Sequence, residues 1–161
     1  MRSVLISLGS NLGNRVHNLR SALLHMRNLV ALVRVSSVFE SEPVDCPEGS
    51  ADFLNMVAIG HVRKGPNEIL DGLQKIEARM GRRSATRNAP RPIDLDLILY
   101  GSRLQRDARL TLPHPRYRTR EFVLAPFREL ELSWHDPADN KEIGRLRGVG
   151  FVTRCASKSV P

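Results

Sequence analysis

Six segments of regular hydrophobic spacing follow one another in the first hundred residues, and their order limits the fold more than any other feature. Four are short runs rich in Val, Ile and Leu, typical of β-strands, and two carry apolar residues at helical spacing. In chain order they are strand 3–8, helix 14–29, strand 33–39, strand 53–62, helix 66–80 and strand 92–100. This order predicts a ferredoxin-like βαββαβ sandwich of the α/β (α+β) class.

The chain beyond Gly101 predicts additions to that core: a hairpin strand near 104–110 and short helices near 120–130 and 140–147. Pro126 either interrupts the first of these helices or marks its start. We expect residues 151–161 to form a poorly ordered tail. Because 161 residues suffice for one well-formed core but not for two, residues 1–161 are predicted to be a single domain.

The composition favours a cytoplasmic protein. No apolar run approaches the roughly 20 residues of a membrane span, and the N-terminal segment lacks the cleavage site of a signal peptide. Cys46 and Cys155 are too few and too far apart in the sequence to suggest a disulfide framework or a thiolate metal site.

The strand 92–100 carries two aspartates in an otherwise apolar sequence. Because side chains alternate along a strand, Asp94 and Asp96 should project side by side. Ile98 and Tyr100 would share their face, and the opposite face would carry Ile93, Leu95, Leu97 and Leu99. Two carboxylates so close repel each other, so a divalent cation or a nearby arginine should lie between them. Two hard oxygen ligands suit Mg²⁺ held together with substrate phosphates, and the alternative is a surface pair on an edge strand.

The net charge of +8 is concentrated in one quarter of the chain. Residues 79–120 hold eleven arginines and three acids, whereas the remaining residues hold equal numbers of basic and acidic side chains. The arginine guanidinium suits bidentate contacts to phosphate. This segment therefore predicts a site for a polyanion, either a nucleotide or a nucleic acid.

Other residues have two interpretations each. Gly9 and Gly13 follow a strand and precede a helix, but without a GK[ST] ending a turn near a helix N-terminus is favoured over a phosphate loop. His114, between two prolines, is suited to donate a hydrogen bond or a proton near phosphates. Phe53 and Phe122 lie at segment starts and by themselves would be core residues.

Five segments in this order resemble one family, the 6-hydroxymethyl-7,8-dihydropterin pyrophosphokinases of folate biosynthesis. They lie between about Val4 and about Leu130 and read SLGSNLG, DFLN, QKIEARMGR, APRPIDLDLILYG and LTLPHPRYRTREFVLAPF. The resemblance implies a ferredoxin-like fold and the transfer of pyrophosphate from ATP to the pterin hydroxymethyl group, with release of AMP. It also implies small-molecule substrates, no nucleic-acid or membrane partner, and a monomer.

The resemblance implies a role for each matching position. Asp94 and Asp96 would bind two Mg²⁺ ions that bridge the ATP phosphates, and Arg82 and Arg91 would act with them in catalysis as part of a closing loop. The pterin would contact Ser41, Pro43, Val44, Phe53, Asn55 and Phe122, with the two phenylalanines sandwiching its ring. The ATP-binding residues would be Gln74, Glu77, Arg82, Arg91, Leu97, Arg109, Thr111, His114 and Arg120.

The Arg-rich loop departs from the family pattern at two places. Asn88 and Ala89 replace an aromatic residue and a glycine, and Ser84 stands where an arginine is common, which leaves Arg83 and Arg87 as alternatives for that role. Two other functions remain open: an RNA-binding module with the same element order, and another two-metal enzyme such as a nucleotidyltransferase or phosphodiesterase.

Overall fold

An antiparallel sheet of six strands forms the centre of the fold. In this computed structural model residues 1–44, 46, 48–81 and 90–156 are described. Its strands are β1 Arg2–Ser10, β2 Ala31–Val35, β3 Phe39–Ser41, β4 Phe53–Val62, β5 Asp94–Tyr100 and β8 Val152–Arg154. They lie in the order β5-β1-β4-β3-β8, and β2 also pairs with β4. The predicted ferredoxin-like α/β architecture is confirmed.

Two helices cover one face of the sheet. Helix α1 (Arg15–Met26) begins after Asn14, whose side chain accepts the His17 N–H at 3.1 Å. Helix α2 (Pro66–Arg79) starts with a proline, which suits a first turn, and is followed by Gly81 at φ 91°. Their apolar sides pack on β1, β4 and β5 around Leu8, Leu19 and Leu73.

A third helix covers the opposite face, with a 3₁₀ turn leading into it. Helix α3 (Glu121–Glu129) follows the 3₁₀ helix Tyr117–Thr119, and a second 3₁₀ helix, Ile143–Arg145, packs nearby. Pro126 lies inside α3 and is buried, so it neither starts nor ends the helix. The second core consists of Leu5, Val57, Ile59, Ile98, Leu99, Tyr117, Val123, Leu124, Phe127, Leu130 and Ile143.

A register shift in β5 changes the predicted faces of that strand. Leu5 pairs with Leu99 and Ile6 with Leu97, so Ile98 has no partner on β1. Beyond this bulge, successive side chains of β5 project to the opposite faces from those that strict alternation predicts. Leu99 therefore joins the α3-side core and Tyr100 packs against the core beneath α1 and α2, the reverse of the sequence prediction.

The predicted strand 33–39 is divided into β2 and β3. Between them Ser36 donates its N–H to the Val57 carbonyl at 2.9 Å, and its hydroxyl accepts the Val57 N–H at 3.0 Å. The Ser36 hydroxyl thus takes the place of a backbone carbonyl as the acceptor for the Val57 N–H, and the regular pairing of β2 with β4 ends here.

The C-terminal region contains more regular structure than expected. The short hairpin consists of β6 (Gln105–Arg106) and β7 (Thr111–Leu112). Within the segment expected to be a tail, residues 152–154 form β8 and pair with β3, where Ser41 lies opposite Val152, whereas residues 157–161 lie outside the described residues. Among the described residues, no helix has the length and apolar character needed to cross a membrane.

The α3-side core generates a stability prediction. Phe127 is fully buried, and its ring centroid lies 6.1 Å from that of Trp134. Phe127→Ala should lower the free energy of unfolding by about 3–5 kcal/mol, because it removes apolar contacts and leaves a cavity. Phe151, which is 77% exposed, supplies the matched control. Phe151→Ala should change that free energy by less than about 0.5 kcal/mol in the same urea titration, and equal losses would contradict the assignment of this core.

Candidate active site

A pocket opens on the α3 side of the sheet, between the ends of the central strands and the start of α3. The empty space between its walls is about 600 Å³ with the open mouth included. Nine residues predicted from the sequence line it: Ser41, Val44, Phe53, Asn55, Arg91, Asp94, Asp96, Arg120 and Phe122. The pocket therefore brings together side chains from β3, β4, β5 and α3 and from the loops between them.

Strand β1 forms the floor of this pocket. Gly9 lies opposite Asp94 on one side and Asn55 on the other, and Ser7 lies opposite Asp96. A Cβ on Gly9 would lie 3.3 Å from Asn55 Oδ1 and 3.5 Å from the Phe53 ring. The glycine thus leaves open the space between the carboxylates and the amide.

Each aspartate faces an arginine. Arg91 Nη2 lies 3.4 Å from Asp94 Oδ2, and Arg120 Nη1 lies 3.3 Å from Asp96 Oδ2. Burial lowers the pKa of the Arg120 guanidinium, and the charge of Asp96 opposes this effect. Arginines therefore supply positive charge beside both carboxylates.

The carboxylates also fit a magnesium site of a particular kind. Both line the pocket, with 23% of the Asp94 side chain and 34% of the Asp96 side chain exposed. No group of three or more His, Cys, Asp or Glu residues suited to a metal occurs in the described part of the chain. A bound Mg²⁺ would therefore take two carboxylates from the protein and its other ligands from phosphates and water, as Mg²⁺ commonly does.

Asn11 fixes the backbone of Arg91 beside the pocket. Its side-chain oxygen accepts the Arg91 N–H at 3.0 Å, and its own N–H donates to the Arg91 carbonyl at 3.4 Å. The Nε of Arg91 is buried and has no hydrogen-bond partner among the described residues. A buried donor of this kind is suited to an anionic oxygen.

The aromatic wall is built from two elements far apart in the sequence. Phe53 begins β4, while Phe122 lies in the first turn of α3 with the Arg120 guanidinium 5.4 Å from its ring centroid. Asn55 is buried, and its amide donates to the Ser41 hydroxyl at 2.8 Å. These residues bring two aromatic rings and an oriented amide to the same cavity. Pro43, predicted beside them, does not line it.

Six further described residues that were predicted to contact ATP do not line this pocket. Leu97 belongs to the core beneath α1 and α2, and Glu77 of α2 is buried and accepts the Leu95 N–H at 2.7 Å. Arg109 contacts the Asp71 carboxylate. Gln74 is exposed on α2, Thr111 begins β7, and His114 donates its N–H to the Ile98 carbonyl at 2.9 Å.

The pKa of His114 is lowered to about 4, first by burial and then by the charges of Arg120 and Arg116. At neutral pH the imidazole is therefore uncharged. Its Nδ1 is 3.2 Å from the Arg116 backbone N–H, which donates to it. The geometry favours a hydrogen-bonding role for His114 over that of a cation.

Residues 82–89 of the Arg-rich loop lie outside the described residues. This applies to Arg82 and to the alternatives for the second loop arginine, Arg83 and Arg87, as well as to Asn88. The roles inferred for them stay predictions.

Sequence reasoning missed five residues that line the pocket: Ser7, Gly9, Glu42, Cys46 and Arg116. Strand alternation in the sequence already places Ser7 and Gly9 on one face of β1. Their position beside the aspartates, however, follows only from the register in which β1 pairs with β5. Arg116 is one of eleven arginines in the basic segment 79–120, and nothing in the sequence distinguishes it from the others as a pocket residue. Asn11 also lies in a recognised motif, yet its contact with Arg91 spans 80 residues.

Most of the chain matches one known protein family. The profile described as "7,8-dihydro-6-hydroxymethylpterin-pyrophosphokinase (HPPK)" matches residues 5–132. The chain belongs to this family. Two-metal nucleotidyltransferases and RNA-binding modules, the other interpretations of the sequence, are therefore disfavoured, and the resemblance noted from five motifs is confirmed.

Several curated proteins are similar to the chain over most of its length. The 2-amino-4-hydroxy-6-hydroxymethyldihydropteridine pyrophosphokinase of Bacillus subtilis is 42% identical over 127 residues, covering 78% of this chain and 75% of that protein. The protein of the same name from Haemophilus influenzae is 39% identical over 81% of this chain and 82% of its own length. The mitochondrial folate synthesis bifunctional protein of Arabidopsis thaliana is 42% identical over 79% of this chain. The chain spans only 23% of that bifunctional protein.

Solved structures support the same fold. A crystal structure of HPPK-DHPS in complex with substrates has a TM-score of 0.70 at 12% identity, covering 88% of this chain and 42% of that one. Wild-type Plasmodium falciparum HPPK-DHPS has a TM-score of 0.69 at 14% identity, with 88% and 43% covered. The fold is thus retained at very low sequence identity.

The lowered pKa of His114 predicts how stability depends on pH. Between about pH 6.5 and pH 4 the unfolded chain binds a proton that the folded chain does not, so His114 causes a loss of stability as the pH falls through this window. In His114→Gln that contribution is absent. Urea unfolding at pH 7, 5.5 and 4.5 should show a shallower decline for the variant than for the wild type. Parallel declines would contradict the burial of a neutral imidazole.

Proposed function

We propose that this chain catalyses Mg²⁺-dependent transfer of pyrophosphate from ATP to the hydroxymethyl group of 6-hydroxymethyl-7,8-dihydropterin, a step of folate biosynthesis. The products are AMP and the pterin diphosphate. The observation that carries the proposal is one pocket lined by a pair of aspartates, two phenylalanines and an oriented asparagine. Membership of the pyrophosphokinase family and the names of its bacterial relatives support it.

The aromatic wall is suited to a pterin. A flat heterocycle stacks favourably on aromatic ring faces, and Phe53 and Phe122 both line the pocket. Asn55 offers its amide to the polar edge of the ring, and its bond to Ser41 limits the ways in which that amide can turn. Gly9 leaves the floor open beneath them. This arrangement would direct the hydroxymethyl group towards the carboxylates.

The charged wall is suited to a triphosphate. Asp94 and Asp96 would hold the two Mg²⁺ ions, which supply charge neutralisation along the phosphate chain. Arg91 and Arg120 already lie within 3.4 Å of those carboxylates, and phosphate oxygens are equally good partners for their guanidinium groups. The residues bordering β5, among them Gln74, Thr111 and His114, would contact the rest of the nucleotide.

The reaction is an in-line displacement at the β-phosphorus of ATP. The oxygen of the pterin hydroxymethyl group forms a bond to that phosphorus, and the bond to the α–β bridging oxygen breaks, so AMP leaves. We assign the proton of the attacking hydroxyl to Asp96. Most of the catalytic effect would come from orientation, because stacking and the arginine contacts fix both substrates in one cavity. Arg82 and Arg91 would close the site over them.

The reaction itself is tested by its nucleotide product. Purified protein with ATP and Mg²⁺ should release AMP only when 6-hydroxymethyl-7,8-dihydropterin is present, in equal amounts with the pterin diphosphate. Chromatography separates AMP from ADP. Release of ADP, of inorganic pyrophosphate, or of AMP at the same rate without pterin would contradict the proposal.

The aspartate pair generates a second prediction. Asp94→Asn and Asp96→Asn should each lower kcat/KM by about 100-fold or more, because loss of a metal-binding carboxylate removes several kcal/mol of charge stabilisation. Circular dichroism should show an intact fold. Glu131→Gln, an exposed carboxylate outside the pocket, provides the control and should keep wild-type activity. Full activity in both aspartate variants would remove the basis for a two-metal site.

A further inference from the structure

Arg120 and Phe122 lie where the 3₁₀ helix meets the start of α3. Arg120 separates the 3₁₀ helix Tyr117–Thr119 from α3, with an extended backbone at φ −99° and ψ 97°. Its N–H donates to the Tyr117 carbonyl at 3.1 Å and its carbonyl accepts the Val123 N–H at 3.0 Å, so it caps both helices. Its guanidinium contacts Asp96 and lies over the Phe122 ring, so the position of this one residue affects both walls of the pocket.

Residues 146–154, here called the C-terminal strap, bind the same junction from outside the two helices. Val149 donates its N–H to the Thr119 carbonyl at 2.8 Å and accepts the Glu121 N–H at 3.4 Å. These bonds lie on either side of Arg120 and make an isolated parallel bridge between Arg120 and Val149. The strap thus fixes the backbone of Arg120 from both directions, while the Val149 side chain is 73% exposed.

The neighbouring residue of the strap approaches the same junction closely. Gly148 donates its N–H to Glu121 Oε2 at 2.8 Å, and a Cβ on Gly148 would lie 2.3 Å from the Glu121 backbone nitrogen. Backbone atoms cannot move aside as the end of a flexible side chain can. Arg128 completes the network, since it contacts Glu121 and donates to the Leu146 carbonyl at 3.0 Å.

The other end of the strap reaches the opposite wall of the pocket. In β8, Val152 lies opposite Ser41, whose hydroxyl accepts the Asn55 amide. Arg154 Nε donates to Glu129 Oε1 at 2.6 Å, and this links the strap to the last residue of α3. The strap therefore connects the elements that carry Arg120 and Phe122 to the element that carries Ser41.

We propose that the C-terminal strap is a positioning element of the active site, and that Gly148 and Val149 are the residues through which it holds Arg120 and Phe122. The strap lies beyond residues 5–132, so the family match does not assign it a role. The proposal rests on the proposed function, because the ligands used to test it are the substrates of that reaction.

Val149→Pro is the decisive variant, because it deletes one N–H of the bridge. Val149→Ala is its matched control, since it keeps that N–H and trims only an exposed side chain. Calorimetry with Mg²⁺ and α,β-methylene-ATP should give a Kd about tenfold higher for Val149→Pro and within about twofold of wild type for Val149→Ala. The pterin Kd should rise in the same variant through Phe122.

A double-mutant cycle separates positioning from general destabilisation. If the strap acts through Arg120, adding Val149→Pro to Arg120→Ala should produce no further rise in the nucleotide Kd. A merely structural strap would lower the melting temperature of Val149→Pro and leave both Kd values of the folded protein unchanged. That result, or a full additional effect in the Arg120→Ala background, would overturn the proposal.

A second pair of variants covers the case in which Val149→Pro does not fold. Gly148→Ala introduces the obstructed Cβ, whereas Gly144→Ala adds a Cβ that meets nothing within 4 Å. A raised nucleotide Kd in the first and not in the second supports the strap, and equal Kd values contradict it. Failure of the wild type to bind either ligand would instead contradict the proposed function, so the two failures are distinguishable.

Discussion

Strand β1 hydrogen-bonds to β4 on one side and to β5 on the other, and the walls of the pocket depend on this double pairing. Its register sets Gly9 between Asp94 and Asn55, and Ser7 beside Asp96. A shift of one residue would turn the aspartates towards the apolar core beneath α1 and α2, where two unpaired carboxylates would be very costly. The burial of that core therefore also keeps both aspartates on the opposite face of the sheet, where they line the pocket.

The second requirement is electrostatic. Two half-buried carboxylates on one strand need positive charge nearby, and the fold supplies it from two directions: Arg91, tied to Asn11 after β1, and Arg120, tied to the C-terminal strap. In both cases the guanidinium is placed by backbone hydrogen bonds to a segment distant in sequence. The many arginines of residues 79–120 provide the positive charge, and these long-range hydrogen bonds position Arg91 and Arg120 beside the carboxylates.

Sequence periodicity was sufficient for most of the fold because the helices and central strands have one clearly apolar side. It failed where a single local contact decides the outcome, as with the Ser36 hydroxyl that ends β2 and the bulge that reverses Leu99 and Tyr100. In the site, spacing alone identified the aspartate pair. Phe53 and Phe122 resemble core residues in a sequence and were recognised only through the family pattern, while Arg116 gives no signal among so many arginines.

Strand β5 is the outermost strand beyond β1, and such an edge normally exposes backbone groups that another chain can pair with. Here the Leu95 N–H is bound by Glu77, and the Ile98 carbonyl is bound by the His114 N–H. The strand that carries both aspartates is therefore protected against edge-to-edge association. The fold can therefore keep its aspartate-bearing strand at the margin of the sheet, beside the open pocket, with part of the exposed edge already hydrogen-bonded.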